Sequence, residues 1–208
     1  MEKILVAGAH GTTGKKIIHI LKADKDFEPI AMVRDKEQVE YFDNHGVKSV
    51  MADLEDDLSE AVKNMDKIIF AAGSGGKKVV EVDQEGAKRL IDAGKKAGIK
   101  KFIMLSSIGA GHPEKADRLK EYLKAKHNAD EYLKSSGVDY TIVRPGTLKN
   151  GDGTGKIKLA KELESHGEIP REDVAQTLVL SLHGNTAQNA IFEMVSGEMP
   201  VEEALKGL

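Results

Sequence analysis

Tyr122 and Lys126 are the pair of side chains whose types and spacing best support chemistry in this sequence. They lie four residues apart in a segment of helical pattern, so both point from one face of the helix. A nearby ammonium group stabilises a phenolate, which allows the phenol to give a proton to a substrate oxygen or to take one from it. Lysine is frequent in this chain, and an ordinary pair of surface residues is the alternative interpretation.

The position of this pair along the chain favours catalytic use. The pair lies on the helix that follows the fifth predicted strand, and that strand ends in Ser106 and Ser107. These hydroxyl groups therefore belong to the carboxyl edge of the predicted sheet, where such sheets bind their ligands. We predict that Ser107, Tyr122 and Lys126 form an acid–base group, in which the lysine can also hold ribose hydroxyls.

A glycine-rich turn lies between the first predicted strand and the first predicted helix, with a glycine at every third position. Glycines placed in this way allow a tight turn, the approach of backbone amides to a pyrophosphate, and close packing of the helix on the strand. A merely structural turn is the alternative. The pattern predicts dinucleotide binding by Gly8, His10, Gly11, Thr12, Thr13 and Gly14.

Arg34 ends the second predicted strand, about 20 residues beyond the last glycine of the turn, where the residue that reads the ribose is expected. An acidic residue there would bind the ribose diol of NAD, whereas an arginine offers a cationic fork to the 2′-phosphate of NADP. NADP is therefore the predicted cofactor. Asp35 follows directly and keeps NAD as the less favoured option.

Short apolar runs alternate along the chain with longer segments of helical period. This alternation predicts a parallel, doubly wound α/β sheet of the Rossmann type, because right-handed crossovers need the intervening helices. The predicted strands are 4–7, 29–33, 47–51, 67–72, 101–105 and 140–143. The predicted helices are 12–21, 36–42, 54–62, 82–97 and 116–134.

The texture changes after Pro145, where a glycine-rich loop at 150–155 precedes a helix at 170–182 and a strand at 190–195. This part is too small for an independent domain. We therefore expect one domain over residues 1–208, in which about 146–208 form a small C-terminal cap on the substrate side.

Composition limits the classes of function. The chain has 208 residues, a formal net charge of −3 and no cysteine. These values argue against a thiol nucleophile, a cysteine-bound metal and a broad nucleic-acid footprint. The seven histidines show no metal-ligand spacing, and no apolar run is long enough for a membrane helix. We expect a cytoplasmic protein with a small-molecule substrate, no metal, no nucleic-acid partner and no membrane association.

Taken together, these motifs resemble the atypical and extended short-chain dehydrogenase/reductases. The resemblance is to small bacterial proteins named NAD-dependent epimerase/dehydratases and to the flavin reductase/biliverdin reductase B and NmrA-like groups, and it covers nearly the whole chain. It implies that Asp53 and Leu54 face the adenine and that Pro145 lies beside the nicotinamide. The adenosine and pyrophosphate side is then lined by Ala71, Ala72 and Gly73.

The same resemblance implies roles for the acid–base group: Ser107 polarises the substrate, Tyr122 exchanges the proton and Lys126 binds the ribose. Asp83 stands where an active-site asparagine is usual in the family. The sequence therefore predicts an NADP-dependent oxidoreductase that transfers hydride to or from a small carbonyl, alcohol or flavin-like substrate. An NADP(H)-binding redox sensor without turnover is the alternative, and either is expected as a monomer or homodimer.

Overall fold

The computed structural model describes residues 1–208, and it contains eleven strands and six α-helices. The strands are β1 (Glu2–Ala7), β2 (Phe27–Val33), β3 (Lys48–Met51), β4 (Lys67–Phe70), β5 (Lys101–Leu105), β6 (Tyr140–Pro145), β7 (Thr147–Lys149), β8 (Lys156–Ala160), β9 (Glu168–Pro170), β10 (Ala190–Ser196) and β11 (Met199–Pro200). The α-helices are α1 (Thr12–Ala23), α2 (Lys36–Asn44), α3 (Ala87–Ala97), α4 (Lys120–Ser135), α5 (Arg171–Leu180) and α6 (Val201–Lys206). A π-helix, Val79–Gly86, leads into α3, and a 3₁₀ turn, Pro113–Lys115, precedes α4.

Nine strands form one sheet in the order β11-β8-β10-β6-β5-β4-β1-β2-β3, and β7 pairs separately with β9. The seven strands from β10 to β3 run parallel, whereas β8 pairs antiparallel with β10, and β11 pairs antiparallel with β8 at the edge. The predicted doubly wound parallel sheet is confirmed.

Alternating side chains of the strands build a core on each face of the sheet. On β1, Ile4 and Val6 belong to the cluster that includes α1 and α5, whereas Leu5 and Ala7 belong to the cluster that includes α3 and α4. All four are fully buried. The sheet therefore has helices on both faces, which explains why its strands read as continuous apolar runs.

The direction of the chain reverses between β1 and β4, which are neighbours in the sheet although two strands separate them in sequence. Successive strands lead from β1 to one edge and from β4 toward the other. This arrangement opens a crevice at the carboxyl ends of β1 and β4, the usual ligand site of such sheets. The glycine turn follows β1 and residues 71–78 follow β4, so both border this crevice.

The predicted helix at 54–62 is wrong, since this segment consists of turns. Asp53 Oδ1 accepts a hydrogen bond from the backbone N–H of Glu55, and the carboxylate of Asp57 accepts from both the backbone N–H and the hydroxyl of Ser59. Short polar side chains that bond the backbone two residues ahead stabilise turns in competition with a helix.

Three other segments differ from the prediction. The helix predicted at 82–97 begins as the π-helix, and the helix predicted at 116–134 begins only at Lys120. In the C-terminal third, the short strands β7, β8, β9 and β11 were not predicted, and β8, β10 and β11 extend the main sheet. Helix α5 packs against α1. The substrate-side cap stays a prediction.

No helix of the structure is both long and apolar enough to cross a bilayer.

Candidate functional site

The glycine turn is shaped by close approaches that only glycine allows. Gly8 has φ of +81°, and a Cβ on it would lie 2.6 Å from the backbone nitrogen of Ala72. A Cβ on Gly14 would lie 2.1 Å from the carbonyl oxygen of Gly8. The turn therefore lies directly against the backbone after β4, and α1 starts close behind it, as predicted for these two glycines.

The amino end of α1 is free to bind an anion. Gly11 is its N-cap, no side chain caps the helix, and its first turn contains no acidic residue. Thr12 is exposed and Thr13 is buried at this end. The unpaired N–H groups and the positive end of the helix dipole suit a phosphate group.

His10 lies beside this turn, with its ring 5.1 Å from the Tyr41 ring in an edge-on arrangement. Desolvation by burial, and then the charge of Lys15, lower the pKa of His10, against a weaker opposing effect of Asp35. The Lys15 ammonium lies 4.3 Å above the Tyr41 ring. The turn therefore has an aromatic surface at His10 and a positive charge at Lys15 beside it.

At the end of β2, the side chains of Arg34 and Asp35 differ in their hydrogen-bond partners. Both are exposed, but the guanidinium group of Arg34 has no hydrogen-bond or salt-bridge partner in the structure. The carboxylate of Asp35 caps α2, because its oxygens accept from the backbone N–H of Gln38 at 2.9 Å and from the side-chain amide of Gln38 at 2.7 Å. Arg34 is thus available to a ligand, whereas both oxygens of Asp35 are already in use.

Asp53 and Leu54, predicted to face the adenine, differ in exposure. Asp53 is partly exposed, whereas Leu54 is only 6% exposed and belongs to the core. A Cβ on Gly86 would lie 2.9 Å from the Leu54 Cβ, and the Leu54 carbonyl accepts a hydrogen bond from Arg89. Leu54 can therefore offer a ligand only its backbone and the edge of its side chain, and its adenine contact stays a prediction.

The loop after β4 is fastened to the π-helix. Ala71 and Ala72 are partly exposed, and Gly73 is exposed. Both the backbone N–H and the hydroxyl of Ser74 donate to Asp83 Oδ2, at 3.0 and 2.7 Å. Asp83 therefore fixes the loop that the sequence predicted to line the adenosine and pyrophosphate side.

Tyr122 and Lys126 do lie together on α4, with the Lys126 Nζ 5.7 Å from the centroid of the Tyr122 ring. Lys126 is only 3% exposed; its Nζ donates to the carbonyl of Leu105 at 3.3 Å and lies 3.5 Å from Asp83 Oδ1. Tyr122 is partly exposed, and its hydroxyl has no partner in the protein. The pair borders the carboxyl end of β5, where its predicted partner is found.

Ser107 and Pro145 lie at the carboxyl ends of β5 and β6. Ser107 is partly exposed, and its hydroxyl donates only a long 3.3 Å bond to the carbonyl of Ile108. Pro145 is buried, and its carbonyl accepts from the backbone N–H of Ile108. This bond joins the segment after Ser107 to the end of β6.

Sequence reasoning missed a buried charged network directly behind Ser107. The Asp130 Oδ2 accepts from the Ser106 hydroxyl at 2.8 Å and from the Arg144 Nε at 3.0 Å. Burial raises the pKa of Asp130, against the opposing effects of Arg144, Ser106 and Lys126. Arg144 interrupts a run of apolar residues in β6, and this interruption is the feature from which the network could have been predicted.

Sequence reasoning also missed Glu193, a charged residue within the otherwise apolar run of β10. It lies buried in β10 and accepts from the backbone N–H of Gly109 at 3.3 Å and of Leu163 at 2.8 Å. A single carboxylate therefore joins the loop after β5 to the segment between β8 and β9. Both segments lie toward the carboxyl edge of the sheet, where the substrate is expected to bind.

The arrangement fits a dinucleotide. Backbone cradles at Gly8 and Gly14, an uncapped helix end and an unpaired guanidinium group follow one another along the crevice. At its other end, the buried Asp83 Oδ1 has no hydrogen-bond partner. Such orphaned buried atoms are rare in native proteins, and their explanations include backbone strain, a catalytic role and a bound water or ion.

Comparisons with known proteins agree with this geometry. A family model described as NAD(P)H-binding matches residues 8–185. The uncharacterized sugar epimerase YhfK of Bacillus subtilis is 42% identical over 214 residues, covering 99% of this chain and 100% of that protein. A Bacillus halodurans structure, provisionally named an NAD-dependent epimerase/dehydratase, has a TM-score of 0.95 and 37% identity over the full length of both chains. The oxidoreductase ylbE of Lactococcus lactis has a TM-score of 0.90 and 36% identity, covering 99% of this chain and 96% of that one.

Proposed function

Because the chain belongs to the NAD(P)H-binding family, we propose that it is an NADP-dependent oxidoreductase of the short-chain dehydrogenase/reductase type. Its substrate is a small carbonyl or alcohol compound or a flavin-like molecule. The observation that carries the proposal is the position of Tyr122 and Lys126 at the carboxyl end of β5, on the sheet edge that also bears the glycine turn. A relative of similar length, from Lactococcus lactis, is named an oxidoreductase.

The preference for NADP rests on the contrast at the end of β2. Arg34 has an unpaired guanidinium group that can form a bidentate contact with a 2′-phosphate. An acidic residue that binds a ribose diol must turn its carboxylate toward the cofactor, whereas Asp35 Oδ1 caps α2 through the backbone N–H of Gln38 and Oδ2 accepts from the Gln38 side-chain amide. This contrast supports the 2′-phosphate over the free 2′-hydroxyl at this position.

In this proposal, different residues of the chain bind the cofactor and transfer the proton. The uncapped end of α1 would hold the pyrophosphate, and Lys126 would hold the ribose next to the nicotinamide. The chemistry that a bound nicotinamide would supply is hydride transfer. The Tyr122 hydroxyl, which has no partner in the protein, exchanges a proton with the substrate oxygen, and Ser107 orients that oxygen.

The test is steady-state oxidation of NADPH against a panel of small carbonyl compounds and flavins, with Tyr122→Phe as the variant. We expect turnover to fall by about 10²- to 10⁴-fold, the usual contribution of a positioned acid, with NADPH affinity retained. Tyr140→Phe is the matched control, because Tyr140 lies at the amino end of β6, away from the carboxyl edge. If Tyr122→Phe is as fast as the parent protein, the role of Tyr122 is wrong.

A redox sensor without turnover is the second candidate, and the burial of Lys126 favours it. The ammonium group donates to the carbonyl of Leu105 and is only 3% exposed, a structural role that a sensor without turnover would also need. A sensor would retain a partner protein differently with NADPH and with NADP. Capture of the same partners whichever form of the cofactor is added would argue against this candidate.

A further inference from the structure

Asp83 is a buried carboxylate with one oxygen in use and one without a partner. It is 1% exposed, and its Oδ2 accepts both bonds from Ser74. Its Oδ1 has no hydrogen-bond donor in the protein. A buried carboxylate oxygen without a hydrogen-bond donor is costly, so the free protein leaves an acceptor unsatisfied at this point.

Lys126 is the complementary case. Its ammonium group has three protons, and its only hydrogen-bond acceptor is the carbonyl of Leu105 at 3.3 Å. The Asp83 Oδ1 lies 3.5 Å away, close enough for an ion pair but without a hydrogen bond. An unsatisfied acceptor and an ammonium group with donors to spare therefore lie next to each other in the interior.

A hydroxyl group satisfies both at once, because it donates one hydrogen bond and accepts another. We infer that Asp83 is a cofactor-binding residue, whose Oδ1 accepts a hydrogen bond from one hydroxyl of the nicotinamide ribose while Lys126 donates to the same hydroxyl. This inference rests on the proposed function, and it concerns the discrimination between a ribose and a deoxyribose at that site.

The local backbone supports this position. Asp83 lies in the π-helix Val79–Gly86, a conformation that is rare and frequently occurs at functional sites. Gly73 covers the Asp83 Oδ1 with backbone alone, since a Cβ there would lie 3.3 Å from this oxygen. Gly75 and Gly76, both at positive φ, follow in the same loop with open space around them. Because glycine has no side chain, only backbone atoms of Gly73 lie next to this oxygen.

The test is calorimetric titration with NADPH and with two analogues in which the nicotinamide ribose lacks either the 2′- or the 3′-hydroxyl. We expect the wild-type protein to bind one analogue at least about tenfold more weakly than NADPH, as for a hydrogen bond to a charged group. In Asp83→Asn the amide oxygen still accepts a hydrogen bond but carries no charge, so this discrimination should fall by at least about threefold. Ser74→Ala is the matched control, because it removes a bond to Oδ2 and leaves Oδ1 unchanged, so it should discriminate as the wild type does.

Each result decides the inference. Equal binding of NADPH and both analogues by the wild type, or full discrimination by Asp83→Asn, overturns it and leaves the proposed function standing. Failure of the wild type to bind NADPH overturns both. If Asp83→Asn does not fold, Gly73→Ala provides the second measurement, because its methyl group would separate the hydroxyl from Oδ1. Unchanged discrimination in Gly73→Ala then overturns the inference.

Discussion

We predict that Lys101 couples the stability of the fold to pH. It opens β5, is 3% exposed, and donates to the carbonyls of Ser181 and Thr186 just after α5. Burial, followed by the charge of the neighbouring Lys67, lowers the pKa of Lys101 from 10.5 to about 8, against the weaker opposing effect of Asp139. We expect Lys101→Met to abolish this coupling, because methionine occupies a similar volume and does not titrate.

The sign and size follow from the two pKa values. Between pH 8 and 10.5, Lys101 has released its proton in the folded state, whereas the unfolded chain still binds it. The unfolded state therefore holds more protons, and the free energy of unfolding rises with pH across this window. With each pKa unit equivalent to about 1.4 kcal/mol, the rise from pH 7.5 to pH 10 amounts to about 2 kcal/mol.

The measurement is urea unfolding, followed by circular dichroism at pH 7.5 and pH 10. The difference in the free energy of unfolding, wild type minus Lys101→Met, should be larger at pH 10 by about 2 kcal/mol. Lys100→Met is the matched control: bonds to Asp66 and Glu2 raise the pKa of Lys100, so its contribution to stability is lost only above pH 10.5. A difference for Lys101→Met that is equal at the two pH values would refute the reasoning.

Two predictions concern the cofactor. Arg34→Ala should raise the Kd for NADPH about tenfold while leaving the Kd for NADH unchanged within about twofold, measured by nicotinamide fluorescence; equal effects on both would show that Arg34 does not read the 2′-phosphate. Gly14→Ala should lower the free energy of unfolding by about 2–4 kcal/mol and abolish NADPH binding, because its Cβ would lie 2.1 Å from the Gly8 carbonyl and 2.7 Å from that of Ala9. Gly11→Ala, whose Cβ would lie 3.2 Å from its nearest neighbour, should cost under about 1 kcal/mol in the same urea titration; a similar loss in both variants would contradict the steric explanation.

The parts of the fold that were predictable depend on short stretches of sequence. The glycine turn joins residues six positions apart, and its geometry follows from what Gly8 and Gly14 cannot accommodate. The order of strands and helices follows from apolar periodicity, and the parallel sheet from their alternation. The helix at 54–62 failed for a local reason too, because Asp53 and Asp57 bond the backbone of turns.

What the sequence could not reveal depends on partners that are remote in the chain. The family resemblance marks Asp83 as the residue in place of an active-site asparagine, but only the fold brings Lys126 to within 3.5 Å of it. Glu193 contacts Gly109, which lies 84 residues away. The predicted Tyr122 and Lys126 pair was found on one helix face, but nothing in its spacing indicated that the lysine would be buried against a carboxylate.

The insertion of β10 beside β6 has a consequence for how the chain folds and for how it can be divided. Ala190 to Met194 pair with Thr141 to Pro145. The outer edge of β6, the last strand of the nucleotide-binding half, is therefore covered by residues from near the end of the chain. Removing residues 146–208 would leave β6 with a bare, apolar edge, which is a template for aggregation. We therefore expect the two parts to unfold as one cooperative unit, and residues 146–208 to be exchangeable with those of a relative only if this edge is rebuilt.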